Sequence, residues 1–153
     1  MQIIIIPARK EDLDVLLGLM EEYYLLDKLP FDRRKAMAAV SKLLNNDALG
    51  AAWLIQADSV TAGYLILTLG YSLEYQGRDA FIDEIYLRPA FRGKGCGKAA
   101  MALVMEEARS RGVQALHLEV DRDNRTAQAF YRKAGFEDQD RYLLTKRLDQ
   151  ETD

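Results

Sequence analysis

Cysteine and histidine are each present once in the 153 residues, as Cys96 and His117. One cysteine allows no intrachain disulfide, so a secreted, disulfide-stapled design is not expected. One histidine without a partner cluster gives no metal site, and none is expected. A basic surplus is also missing: 21 Lys and Arg face 24 Asp and Glu, a formal charge of −3. That balance argues against a general nucleic-acid binder. Only three prolines occur, and no repeat or Pro/Gly/Ser-rich linker divides the chain, so residues 1–153 are expected to form one domain. The isoleucine run Met1–Pro7 is too short for a leader or a membrane span, which makes the cytoplasm the expected compartment.

What is present is an ordinary globular mixture, 49% hydrophobic and 29% charged. Gln2–Ile6 is β-branched and ends at Pro7, the pattern of a strand. Leu13, Leu16, Leu17, Met20, Tyr24 and Leu25 recur at helical spacing. Asp32 is placed to cap a second helix bearing Met37, Val40, Leu43 and Leu44. Strands at Ala51–Gln56 and Ala62–Tyr71 flank a turn at Ala57–Ser59, and Glu74–Arg78 reads as a loop. Phe81–Leu87 reads as a strand buried on both faces, interrupted by Asp83 and Glu84. An amphipathic helix spans Gly97–Arg111, a strand Ala115–Val120, a short helix Thr126–Ala134, and a last strand Tyr142–Leu148. Strand–helix–strand implies one parallel pair with a right-handed crossover, while the earlier hairpins are antiparallel. The expected class is α+β: a mixed, mostly antiparallel sheet of about six to seven strands with about four helices.

The most informative stretch is Arg92-Gly93-Lys94-Gly95-Cys96-Gly97-Lys98, between a buried strand and a helix. Alternate glycines let the backbone approach a bulky ligand and adopt positive φ. The free amides and dipole of a helix start favour an anion, and Arg92, Lys94 and Lys98 add positive charge. This reads as a phosphate or pyrophosphate grip. It is not a P-loop, because Gly93 and Gly97 enclose three residues and Ala99 stands where a magnesium-binding hydroxyl is required. Gly95, Gly97 and Ala100 do fit a dinucleotide fingerprint, with Glu119 as its acidic partner. Seven residues including Pro89 separate Leu87 from Gly95, too many for that fold, so an NAD-binding oxidoreductase is the weaker reading.

Downstream, Asn124, Ala127, Tyr131, Gly135 and Phe136 follow the pattern N-x-x-A-x-x-x-Y-x-x-x-G-F, while Arg92, Gly95 and Gly97 fit R/Q-x-x-G-x-G/A. With both motifs, in this order, the chain resembles the GNAT superfamily of N-acetyltransferases, most strongly over Phe81–Phe136. The resemblance implies that the central parallel strands splay apart and that acetyl-CoA is the co-substrate. It implies pantetheine contacts with the backbone around Ile85, Tyr86 and Leu87, and pyrophosphate contacts with the amides of Gly93, Lys94, Gly95, Cys96, Gly97 and Lys98. Asn124, Ala127 and Tyr131 would border the same ligand. Homodimers are common in the family.

Acetyl transfer requires a neutral amine, a polarised carbonyl and a protonated leaving thiolate. The resemblance assigns the acid to Tyr131; an amphipathic core tyrosine is the alternative. Asp83, Glu84 and Glu119 are candidate bases, or else ion-pair partners. Asp83 and Glu84 are adjacent, so in a regular strand only one would face the cleft. Cys96 reads as packing. For the acceptor, the family's first two helices and the loop before the Phe81 strand suggest Tyr24, Phe31, Tyr71 and Glu74, within a set including Glu21, Glu22, Tyr23, Asp27, Pro30 and Tyr75. Acidic and aromatic groups suit a cationic amine, whether small molecule, polyamine, lysine or peptide N-terminus. A non-catalytic acyl-CoA-binding or sensor module is the principal alternative.

Overall fold

Why one edge of this sheet is aliphatic is visible in β1 (Ile3–Pro7), which pairs antiparallel with β2 (Gly50–Ala57) in register from Ile3–Ala57 to Pro7–Trp53. The computed structural model describes residues 1–150. Its five-stranded sheet runs β1-β2-β3-β4-β5, with β3 (Val60–Leu69), β4 (Asp79–Leu87) and β5 (Ala115–His117). Only the β4–β5 pair is parallel. Asp58 and Ser59 join β2 to β3 with φ of 48° and 65°. Two successive left-handed residues match the twist of a tight hairpin.

A 3₁₀ turn at Lys10–Asp12 leads into α1 (Leu13–Leu26), and α2 (Arg33–Leu44) follows. Asp32 caps α2, its side chain accepting from the Lys35 amide at 3.1 Å. Leu16, Leu17, Leu19 and Met20 of α1 and Val40 of α2 pack on Ala52, Leu54, Tyr64, Ile66 and Tyr86. Strand alternation sends Ile55, Leu65 and Leu67 to the other face. That side carries α3 (Cys96–Ser110), which meets β1, β2 and β4 and buries Ala100, Met101, Val104 and Ala108. Leu65 is fully buried, so Leu65→Ala is expected to remove about 2–5 kcal/mol of stability, measured by denaturant unfolding.

Two compact units divide the chain, Met1–Glu119 and the segment from Val120 onward. The second contains α4 (Arg125–Lys133). Four α-helices are thus present among the described residues, as expected, but the sheet has five strands rather than six to seven. Tyr142–Leu148 forms no ladder, and Tyr142, Leu143, Leu144 and Leu148 are exposed. Its alternation is that of a strand, yet a strand exists only where a neighbour completes its hydrogen bonds. The expected Ala115–Val120 strand is also shorter and ends at His117.

Candidate active site

A one-residue irregularity in β4 organises the acidic part of the site. Ile66 of β3 pairs with Glu84 and Leu67 pairs with Ile82, leaving Asp83 as an extra residue. Such a bulge interrupts the alternation of faces. Asp83 and Glu84 therefore line one cavity, correcting the expectation that only one of them could. The cavity holds about 680 Å³ and is walled by the α1–α2 segment, α2 and the sheet, with Tyr24 and Phe31 in its lining.

Glu84 accepts hydrogen bonds from Tyr24 at 2.5 Å and from the fully buried Tyr64 at 2.6 Å. Burial pushes the Glu84 carboxyl above its usual range, the two hydroxyls pull it back, and the neighbouring Asp83 charge adds to the rise. Asp83 is exposed by area, yet partial burial of its carboxyl still raises it. Desolvation and then the Glu84 carboxylate raise both tyrosines, so at neutral pH they remain donors. Tyr24 packs edge-on against Phe31 (5.3 Å between centroids) and Tyr23 (5.4 Å), and Tyr23 stacks on Tyr86 at 5.6 Å. Tyr64 was not legible as a site residue. Its only signal was a phenol in an aliphatic strand, whose buried hydroxyl needs a partner.

Beside this group, Arg88 grips Glu22 through Nε at 2.9 Å and Nη2 at 2.7 Å, and its Nη1 donates to the Thr61 carbonyl at 2.9 Å. The pair ties the end of β4 to α1 and holds the Glu22 carboxyl below its usual value. Tyr71 and Glu74 do not line the cavity, and Tyr71 is exposed. Tyr75 instead packs against His117, whose Nε2 lies 3.1 Å from Asp79 Oδ2. Glu119 is exposed, two residues beyond β5. Among the described residues no three His, Cys, Asp or Glu side chains are grouped to hold a metal ion.

The other half of the site begins where β4 loses its parallel neighbour. Pairing with β5 extends only from Asp79 to Phe81. The Arg88 amide donates to Ala62 of β3 at 2.8 Å, and a Cβ on Gly63 would lie 1.9 Å from the Tyr86 carbonyl oxygen. Tyr86 thus turns its backbone to β3, and alternation aims the amides and carbonyls of Ile85 and Leu87 away from it. Arg92 folds back, its Nε donating to the Leu87 carbonyl at 2.9 Å, with its guanidinium 6.0 Å from the Tyr86 ring centre.

After a 3₁₀ turn at Pro89–Phe91, Gly93 (φ 70°) and Gly95 (φ 92°) curl the chain into α3. Gly95 is the N-cap, and the Ala99 amide is the first to reach back to it. The amides of Cys96, Gly97 and Lys98 precede that bond and have no acceptor within the helix. Lys94 and Lys98 are exposed, while Cys96 is fully buried, as its packing role requires. A bulky diphosphate fits this exposed, amide-rich and basic turn. The intervening 3₁₀ turn and the largely antiparallel sheet do not fit a dinucleotide fold.

In the second unit, Asn124 Oδ1 accepts from the Ala127 amide at 3.2 Å and caps α4. Gly135, at φ 102°, ends the helix, and the Phe136 amide returns to the Tyr131 carbonyl at 3.1 Å. Tyr131 lies edge-on between Phe130 (5.5 Å) and Phe136 (6.1 Å). Burial raises its hydroxyl, which stays protonated at neutral pH. The Asn, Gly and Phe of the second motif are therefore the cap, the stop and the ring that fix this tyrosine on its helix.

Residues 17–136 match the model of the acetyltransferase (GNAT) family. The chain belongs to that family. Among relatives, an uncharacterized N-acetyltransferase of Methanocaldococcus jannaschii is 29% identical over 86% of this chain and 59% of its own length. Bovine thialysine N-epsilon-acetyltransferase is 33% identical over 50% of this chain and 44% of its own. The chain thus spans about half the length of the curated relatives it matches. An integron cassette protein from a salt-marsh metagenome superposes with TM-score 0.86 at 36% identity, covering 96% of this chain and 91% of its own. Aminoglycoside N-acetyltransferase AAC(6')-Iy in complex with CoA superposes at 0.82 with 20% identity, over 96% and 95% of the two chains, a likeness of fold. In this GNAT chain no helix of the described residues is long and apolar enough to cross a membrane.

Proposed function

We propose that this GNAT chain is an acetyl-CoA-dependent N-acetyltransferase that transfers the acetyl group directly to a primary amine. The observation that carries the reading is the continuity of β4. Its edge at Ile85 and Leu87 has no ladder partner in β5, and it leads through one short turn into the amide-rich Gly93–Lys98 loop. An extended arm bearing a diphosphate matches that combination of strand edge and anion cradle. The Gly93–Lys98 amides, Lys94 and Lys98 would hold the phosphates, and Arg92 would brace the turn. Asn124 and Ala127 border the cofactor by family resemblance.

Bound acetyl-CoA supplies an acyl group activated as a thioester. Glu84, with Asp83 beside it, receives the ammonium at the cavity floor and takes its proton. Tyr24 and Tyr64 hold the Glu84 carboxylate in one orientation, which makes Glu84 the better-placed base of the three carboxylates. By family resemblance Tyr131, which keeps its phenolic proton at neutral pH, would protonate the leaving thiolate and recover a proton from the acylated nitrogen.

Purified protein is expected to bind acetyl-CoA and to release free thiol when offered primary amines. Tyr131→Phe should lower kcat by about 10-fold or more and leave acetyl-CoA affinity within about twofold. An unchanged kcat removes the acid role from Tyr131. Binding without turnover on any amine would instead make the chain a non-catalytic acyl-CoA sensor.

A further inference from the structure

We propose that the cavity between α2 and the β3–β4 face accepts an amine with one cationic head on a bulky apolar body, and disfavours polyamines and aminoglycosides. The inference rests on the acetyl-transfer reading and names the acceptor class of that site. Its negative charge on the sheet is confined to Asp83 and Glu84, adjacent at the bulge. Both Glu84 oxygens already accept tyrosine hydroxyls, so each has one remaining lone-pair direction for a ligand. Together the two carboxylates suit a single ammonium.

Beyond that head site the lining turns apolar, with Phe31, Ala39, Leu43, Leu49 and Ile66. About 680 Å³ is room for a small molecule with a ring or branched chain. Further cations meet a different surface. Lys35 and Lys42, both exposed, line the α2 wall, and the one acid there, Asp32, already accepts from the Lys35 amide. A second or third ammonium would exchange water for apolar wall and like charge. An apolar body gains from the same wall about tenfold to a hundredfold in affinity.

Titration calorimetry with 2-phenylethylamine, spermidine and tobramycin tests the assignment on the full chain. The phenylethylamine is expected to bind at least tenfold tighter than either polycation. Ala39→Trp, an exposed position, should weaken it at least tenfold without lowering Tm, and Lys35→Glu with Lys42→Glu should narrow the preference over spermidine. Equal or tighter binding of a polycation, no binding of any amine, or an Ala39→Trp protein that binds as before would overturn the assignment. Acetyl-CoA titrated into the same protein separates the two readings. If acetyl-CoA fails to bind while the amine preference holds, acetyl transfer is refuted and the cavity assignment stands. If acetyl-CoA binds and thiol is released with spermidine in preference, the reverse is true.

Discussion

Glu84→Gln is expected to lower kcat by ~10²–10³-fold, the range for loss of a positioned general base, with acetyl-CoA affinity unchanged. The amide keeps the shape and one oxygen that can accept from one tyrosine, while toward the other it presents an NH2 that donates to the hydroxyl oxygen. It cannot take a proton. In the wild-type protein the carboxyl is held above its ordinary value by burial, so the acidic limb of the kcat profile should lie higher than for an exposed glutamate. Stability gives a second readout of opposite direction. A carboxyl raised on folding contributes stability that is present below its unfolded value and is lost as pH rises through its folded value. The Tm of Glu84→Gln relative to wild type should therefore increase from acid toward neutral pH. A Glu84→Gln variant whose kcat is unchanged would remove the base role from Glu84.

Gly95→Val is expected to weaken acetyl-CoA binding by about tenfold or more, from direct titration. Space is not the reason. A Cβ at Gly95 would meet only Ile3 Cδ1 at 3.7 Å, an ordinary contact. The reason is φ of 92°, where a β-branched residue is strained by about 1–2 kcal/mol or more. The chain can relieve that strain by rotating the residue that caps α3, which turns the amides of Cys96, Gly97 and Lys98 out of convergence. About 1.4 kcal/mol corresponds to tenfold in affinity. Gly93→Ala, also at positive φ but outside the helix cap, should do less. If Gly95→Val binds acetyl-CoA as tightly as wild type, the cradle is not where the phosphates are held.

Local chemistry made much of this protein legible. The Asp32 cap, the Asp58–Ser59 hairpin, the helix start at the glycine loop and the Asn124 to Phe136 motif are all decided by neighbours within a few residues. Each involves a short side-chain bond or a left-handed residue, and such features follow from residue type and spacing alone. The acceptor loop was less legible. The family resemblance groups Tyr71 and Glu74 with Tyr24 and Phe31, but they lie outside the cavity that holds those two. The hydrophobic pattern of Tyr142–Leu148 predicts a strand, although pattern cannot state whether a pairing edge is within reach.

By itself the sequence determined a glycine-rich, basic turn at Arg92–Lys98 that opens a helix, and a phenol on a capped helix. It also determined two carboxylates in an otherwise apolar strand. The tertiary structure decided which way those carboxylates face. Periodicity of two separates adjacent residues, and only the mismatch of register between β3 and β4 inserts Asp83 and brings it round beside Glu84. It also decided that Tyr64, twenty residues away in the chain, and Tyr24, sixty away, share one carboxylate. Register and long-range pairing arise from packing whole elements against each other, and that information is not stored in any local window.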